Sequence, residues 1–124
     1  MATPNYLLLA VKNPLQSAEL YTPIFGAQPV ERSPTFVLYV FPGGYKVGLW
    51  AAADMKPEPR PAGGVEVSFS LPDQESVLQT HEAWKKLGLK VVQEPTHLDF
   101  GFTCVLEDPD GHRLRPFVLS DNPR

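Results

Sequence analysis

The chain has 124 residues, 43% hydrophobic and 20% charged, with a formal net charge of −3, which suits one globular domain with a buried core and argues against disorder. No cluster of Lys and Arg offers a phosphate-binding face, so nucleic acid is not an expected partner, and no apolar run reaches the roughly 20 residues of a membrane span. Met1-Ala2-Thr3-Pro4-Asn5 has no basic leader pattern and Cys104 has no second cysteine to pair with, so a reducing cytoplasmic setting is expected.

Tyr6-Leu7-Leu8-Leu9-Ala10-Val11 reads as a first strand. Asn13 then supplies an N-cap and Pro14 a first-turn residue. They predict a helix carrying Ala18, Leu20, Tyr21, Ile24 and Phe25, bent in its last turn by Pro23 and stopped by Gly26. Strands are expected at about 28–33, 36–41 and 45–50, the last two joined by Pro42-Gly43-Gly44. The 14 prolines are spread along element edges except in the stretch from Met55 to Gly64, which reads as a linker over about 53–63. After it, Glu66-Val67-Ser68-Phe69-Ser70-Leu71 reads as a strand, and Pro72-Asp73 opens a helix. Val77, Leu78, His81, Trp84 and Leu87 share one face of that helix, and Gly88 ends it. Three more strands are expected at about 90–94, 101–107 and 112–117, with the tight turn Asp108-Pro109-Asp110-Gly111 between the last two.

The order β-α-β-β-β therefore occurs twice, in a module of about 5–52 and another of about 64–119. With Ala10-Val11-Lys12-Asn13-Pro14 leading into Ser17 to Gly26, and with the hairpin from Asp108 to Arg115, the chain resembles the vicinal oxygen chelate superfamily. That group includes glyoxalases, extradiol dioxygenases, fosfomycin-resistance enzymes and bleomycin-binding proteins. The resemblance implies an α+β fold in which two βαβββ modules form an incomplete barrel around a cleft, in a single domain spanning 1–124. It also implies a homodimer with shared or swapped modules.

The superfamily's metal enzymes hold their ion with side chains on the first and last strand of each module. The resemblance puts those positions at Tyr6, about Gly48, Glu66 and Arg115. Only Glu66 is a credible ligand, and the fixed charge of Arg115 opposes a cation, so no metal and no cofactor is expected. The histidines show no ligand spacing. His81 reads as a half-buried packing residue, His97 as part of a polar loop, and His112 as facing away from Arg115. Cys104 reads as an inert buried thiol. No Gly-rich phosphate loop and no Gly-x-Ser-x-Gly elbow is present.

Strand alternation sorts the rest. Leu7, Leu9, Val11, Val47, Leu49, Val67, Phe69, Leu71 and Leu114 form an apolar face for the helices. The other face carries Tyr6, Leu8, Ala10, Lys46, Gly48, Trp50, Glu66, Ser68, Ser70, Arg113, Arg115 and Phe117. Rings mixed with a few polar groups describe a small-molecule pocket. Trp50 reads either as a stacking platform or as a cover for the interface between modules. Glu66 and Arg115 either pair across the empty cleft or orient a ligand's polar groups. Tyr39, Phe41, Phe100 and Phe102 are further aromatic candidates.

Within the superfamily, Gly48-Leu49-Trp50 and Gly111-His112-Arg113-Leu114-Arg115 most resemble the phenazine-binding resistance proteins. The resemblance implies metal-independent sequestration of a small planar aromatic, antibiotic-like compound, with Trp50, Arg115, Glu66, Tyr6, Leu8, Ser68, Phe117 and Phe102 lining the site and no catalytic residue. The rival reading is a metal-dependent glyoxalase-like lyase or dioxygenase. A third is a catalytic remnant kept for structure or regulation.

Overall fold

A computed structural model describes residues 3–57, 59 and 65–120. The elements run β1 (Tyr6–Val11), α1 (Pro14–Phe25), β2 (Glu31–Arg32), β3 (Phe36–Val40), β4 (Lys46–Ala51), a 3-10 turn (Ala52–Asp54), β5 (Glu66–Ser70), α2 (Gln74–Lys86), β6 (Lys90–Leu98), β7 (Gly101–Glu107) and β8 (Arg113–Leu119). The chain divides into two compact units, Met1–Pro61 and Ala62–Arg124. Each is an open four-stranded sheet with one long helix, ordered β1-β4-β3-β2 in the first and β5-β8-β7-β6 in the second. Much of the expected linker, residues 58 and 60–64, lies outside the described residues.

Both long helices begin where side chains replace missing backbone partners. The Gln16 N–H donates to Asn13 Oδ1 at 3.2 Å. At the other end Gly26 takes φ 63° and its N–H donates to the Thr22 carbonyl, a conformation that favours glycine. Pro23 sits inside the last turn of α1 without ending it. Asp73 caps α2 by a reciprocal pair: the Ser76 N–H donates to its carboxylate at 2.8 Å, and its own N–H donates to Ser76 Oγ at 3.3 Å.

In the first unit Leu9, Val11, Val37, Val47 and Leu49 are buried together with Ala18 and Tyr21 of α1. Phe25 meets the rings of Tyr39 and Phe41 edge-on at 5.1 and 5.2 Å. The Tyr39 hydroxyl lies 2.9 Å from Thr22 Oγ1, so Tyr39 and Phe41 belong to the helix packing. In the second unit the buried Val77, His81 and Trp84 of α2 accompany Cys104, Leu106 and Leu114 of the sheet. Phe69 adds a ring contact to Trp84 at 5.2 Å. His81 is therefore fully buried, not half-buried, and Nε2 stands 3.4 Å from the Glu94 carboxylate.

Two elements depart from the sequence expectation. The strand expected at 28–33 pairs only over Glu31–Arg32, because Pro29 has no N–H to donate to a ladder. The strand expected to stop at 94 runs on to Leu98, through Pro95. It lies at the sheet edge, where one unpaired side tolerates proline, and its register with β7 shifts between Gln93 and Thr96. His97 consequently sits on a strand rather than in a loop.

The turn between β7 and β8 is built around one carboxylate. Asp108 Oδ1 accepts from the Asp110 N–H at 2.9 Å and the His112 N–H at 2.8 Å, and Gly111 takes φ 91°. Since Asp108 is buried, Asp108→Ala leaves those donors short of partners, and a loss of about 2 kcal/mol is expected in urea denaturation, with Asp108→Asn losing less.

Candidate functional site

In the first unit the parallel register between β1 and β4 sets Leu8 beside Gly48 and Ala10 beside Trp50. Antiparallel pairing sets Phe36 beside Trp50 and Leu38 beside Gly48, and Glu31 beside Leu38. Every second residue thus falls on the sheet face opposite α1. There Tyr6, Leu8, Glu31, Phe36 and Trp50 line a cavity of about 400 Å³. Phe36 meets Trp50 edge-to-face, with ring centres 6.2 Å apart and planes at 84°.

Gly48 is what makes room. A Cβ there would fall 2.7 Å from Leu8 Cδ2 and 2.8 Å from Phe36 Cζ. The backbone itself is the floor under those two side chains.

Sequence alternation puts Tyr6, Leu8 and Trp50 on one face, and the structure brings them together around this cavity with Phe36 and Glu31, which the sequence reading did not single out. Phe36 was legible, because it lies one position off the packed face that carries the buried Val37 and Tyr39, as Trp50 does next to Leu49. Glu31 was not, because the two-residue β2 has too little pattern to fix its parity.

In the second unit Arg115 is the centre. Ser68 stands beside Arg115 and Glu66 beside Arg113 in the parallel pair β5–β8. Arg115 Nε donates to Glu66 Oε2 at 2.9 Å. Its Nη1 donates to Thr103 Oγ1 at 3.3 Å and reaches Gln93 Oε1 at 3.5 Å. Ser68 Oγ donates to the same Glu66 oxygen at 3.0 Å. Thr103 can accept because its own proton goes to the Pro116 carbonyl, 3.0 Å away. The guanidinium lies 5.9 Å from the Phe100 ring centre, and Phe100 in turn meets Phe117 edge-on at 6.3 Å. The Glu66–Arg115 pair, expected to form across a cleft, forms instead between neighbouring strands of one sheet. Burial pushes the Glu66 carboxyl up, but the hydrogen bonds from Arg115 and Ser68 and the guanidinium charge outweigh it and hold the group below its ordinary value.

Phe102 is placed elsewhere. The pleat turns it to the opposite face of β7 from Thr103, where it meets the tilted His97 ring with centres 4.8 Å apart. With Asp73 and Gln74 at the start of α2 it lines a separate cavity of about 340 Å³.

The four positions that the resemblance assigns to a metal do not fit one. Tyr6 and Gly48 belong to the first unit's ring-lined face, Glu66 is ion-paired, and Arg115 is itself a cation. Among the described residues no group of three or more His, Cys, Asp or Glu side chains is placed to hold a metal ion. Burial pushes the Cys104 thiol up to about 11, which leaves no thiolate for nucleophilic work near neutrality.

The chain belongs to the Glyoxalase/Bleomycin resistance protein/Dioxygenase superfamily, whose family model matches residues 3–115. It is 31% identical over 116 residues to the phenazine antibiotic resistance protein EhpR of Enterobacter agglomerans, an alignment covering 91% of this chain and 89% of that protein. A solution NMR structure of an Agrobacterium tumefaciens protein is 37% identical and superposes with a TM-score of 0.89, over 97% of this chain and 99% of that one. A glyoxalase-related enzyme from Fulvimarina pelagi has the same fold at 18% identity, with a TM-score of 0.85 over 95% of this chain and 88% of that one.

Two outcomes follow from this geometry. Gly48→Ala crowds only side-chain tips, so it should cost about 1 kcal/mol in thermal denaturation while visibly changing the near-ultraviolet dichroism of Trp50 as Phe36 is pushed aside. Glu66 has a native pKa below its ordinary 4.5. Its stabilising contribution is therefore full above that value and lost as pH falls through the lowered native pKa. Denaturant titrations from pH 7 down to about pH 3 should show the stability advantage of the wild type over Glu66→Gln shrinking across that acid range.

Proposed function

We propose that this protein binds a small planar aromatic compound without a metal ion and sequesters it, acting as a cytoplasmic homodimer in antibiotic resistance. The observation that carries this reading is the ring-lined cavity of the first unit. Its volume falls in the range of small-molecule sites, and Trp50, Phe36 and Tyr6 offer faces and edges to a flat ring system. The likeness to a phenazine antibiotic resistance protein over most of both chains supports the ligand class. Arg115 supports the absence of metal chemistry: with Glu66 it turns the superfamily's ion-holding positions into an ion pair. Dimerisation rests on the superfamily resemblance, and the cytoplasmic setting on the lone Cys104.

Sequestration needs no chemistry beyond affinity. Stacking on Trp50 and removal of the ligand's apolar surface from water, at roughly 25 cal/mol per Å² before ordering costs, supply most of it. A half-buried platform on a β-strand is held by its ladder and loses little freedom on binding.

Calorimetric titration with a panel of phenazines and other tricyclic aromatics tests the reading. Binding by at least one member is expected, and Trp50→Ala should weaken it about tenfold or more, since a stacking platform is worth about 1–3 kcal/mol per ring system. Equal affinity of wild type and Trp50→Ala would remove the platform from the account.

A further inference from the structure

The ring-lined cavity carries a charge as well as rings, and we infer that its ligand is a planar aromatic cation. The inference rests on the stacking reading above and names the ligand class for that same cavity. Of the five residues that line it, four have uncharged side chains and the fifth is Glu31, whose carboxylate brings the only charge among them. No ion pair engages Glu31 among the described residues.

The nearby cations leave Glu31 unneutralised. Arg32, next in the chain, points to the other face of β2, where its charge is felt at the Tyr39 hydroxyl. Lys46 lies 5.9 Å from the Tyr6 ring centre but outside the cavity lining, with its ammonium 3.5 Å from the Gly44 carbonyl. That contact also shows that a Tyr6 face accepts a cation.

With Tyr6 already facing Lys46, the rings of Trp50 and Phe36 beside a carboxylate that no ion pair engages among the described residues form the arrangement that favours a delocalised positive charge over a neutral or anionic ring system. A flat ligand lying against Trp50 would shield Glu31 from water, and the attraction between the two grows as the local dielectric falls. The same carboxylate would repel a ligand bearing its own carboxylate, so charge sorts ligands that shape alone treats alike.

Calorimetric titration of the full chain with N-methylphenazinium, phenazine and phenazine-1-carboxylate separates shape from charge, because the three share one ring system. The cation is expected to bind about tenfold or more tighter than phenazine, and the carboxylate weakest. Raising ionic strength to about 0.5 M should narrow the preference by screening. Glu31→Gln should bring the ratio of cation to neutral affinity towards one, with thermal denaturation confirming that the exposed substitution leaves the fold intact. Phenazine or its carboxylate binding as tightly as the cation would overturn the charge preference and leave the stacking reading standing. A preference that survives in Glu31→Gln would overturn the assignment to Glu31. No binding by any of the three would overturn the stacking reading itself.

Discussion

In each unit the first strand is hydrogen-bonded to the fourth, in parallel, and not to a sequence neighbour. A parallel pair needs a long crossover between its strands. Here that crossover is a helix followed by two further strands, which covers one face of the sheet and leaves the other open. The pairing fixes register as well as topology, and a slip of one residue would exchange the two faces. With β1 and β4 in the observed register, Leu9, Val11, Val47 and Leu49 are buried on the side of α1, while Tyr6, Leu8 and Trp50 share the open side. The buried aliphatics hold that register in place, so the cavity's shape is a consequence of the core on the opposite face.

The Arg115 cluster shows how a largely covered cation is held on the open face of the second unit. The guanidinium is mostly covered, with 21% of its side-chain surface exposed against 33% for Glu66. Such a charge is stable only with its donors used. Glu66, Thr103 and Gln93 each accept from it, and Thr103 is free to do so only because Pro116, whose nitrogen cannot donate, still offers a carbonyl. Reinstating a ligand at position 115 alone would leave Glu66 without its partner and Thr103 and Gln93 with nothing to accept. Several changes at once separate this arrangement from an ion-binding one.

The repeated order of elements was legible because its signals are local. Asn13 with Pro14, Asp73 with Ser76, and the glycines at 26, 88 and 111 fix element ends through backbone physics that acts over a few residues. Where the outcome depended on a neighbouring strand, local reading fell short. The strand expected at about 90–94 runs on through Pro95, which is tolerated because β6 is an edge, a property of the sheet. Glu66 and Arg115 could be read either as a pair across a cleft or as groups that orient a ligand, and their pairing within one sheet follows from the parallel β5–β8 ladder. Phe102 shares a strand with Thr103 and looks like a companion of Arg115 until the pleat turns it the other way. Glu31 was out of reach, since its place beside the rings comes from a two-residue pairing that no periodicity announces.

Comparing equivalent ladder positions explains why the two units differ in chemistry. Leu8 beside Gly48 in the first corresponds to Ser68 beside Arg115 in the second, and Ala10 beside Trp50 corresponds to Ser70 beside Phe117. At the central position one unit has no side chain at all and the other has one of the largest. Absence of a Cβ lets Leu8 and Phe36 approach the backbone and leaves a hollow edged by Trp50. A guanidinium at the same position extends over its own sheet and ties Glu66, Ser68 and Thr103 into a polar floor. The shared plan supplies an open face in each unit, and this position separates a hollow edged by aromatic side chains in one from a hydrogen-bonded polar surface in the other.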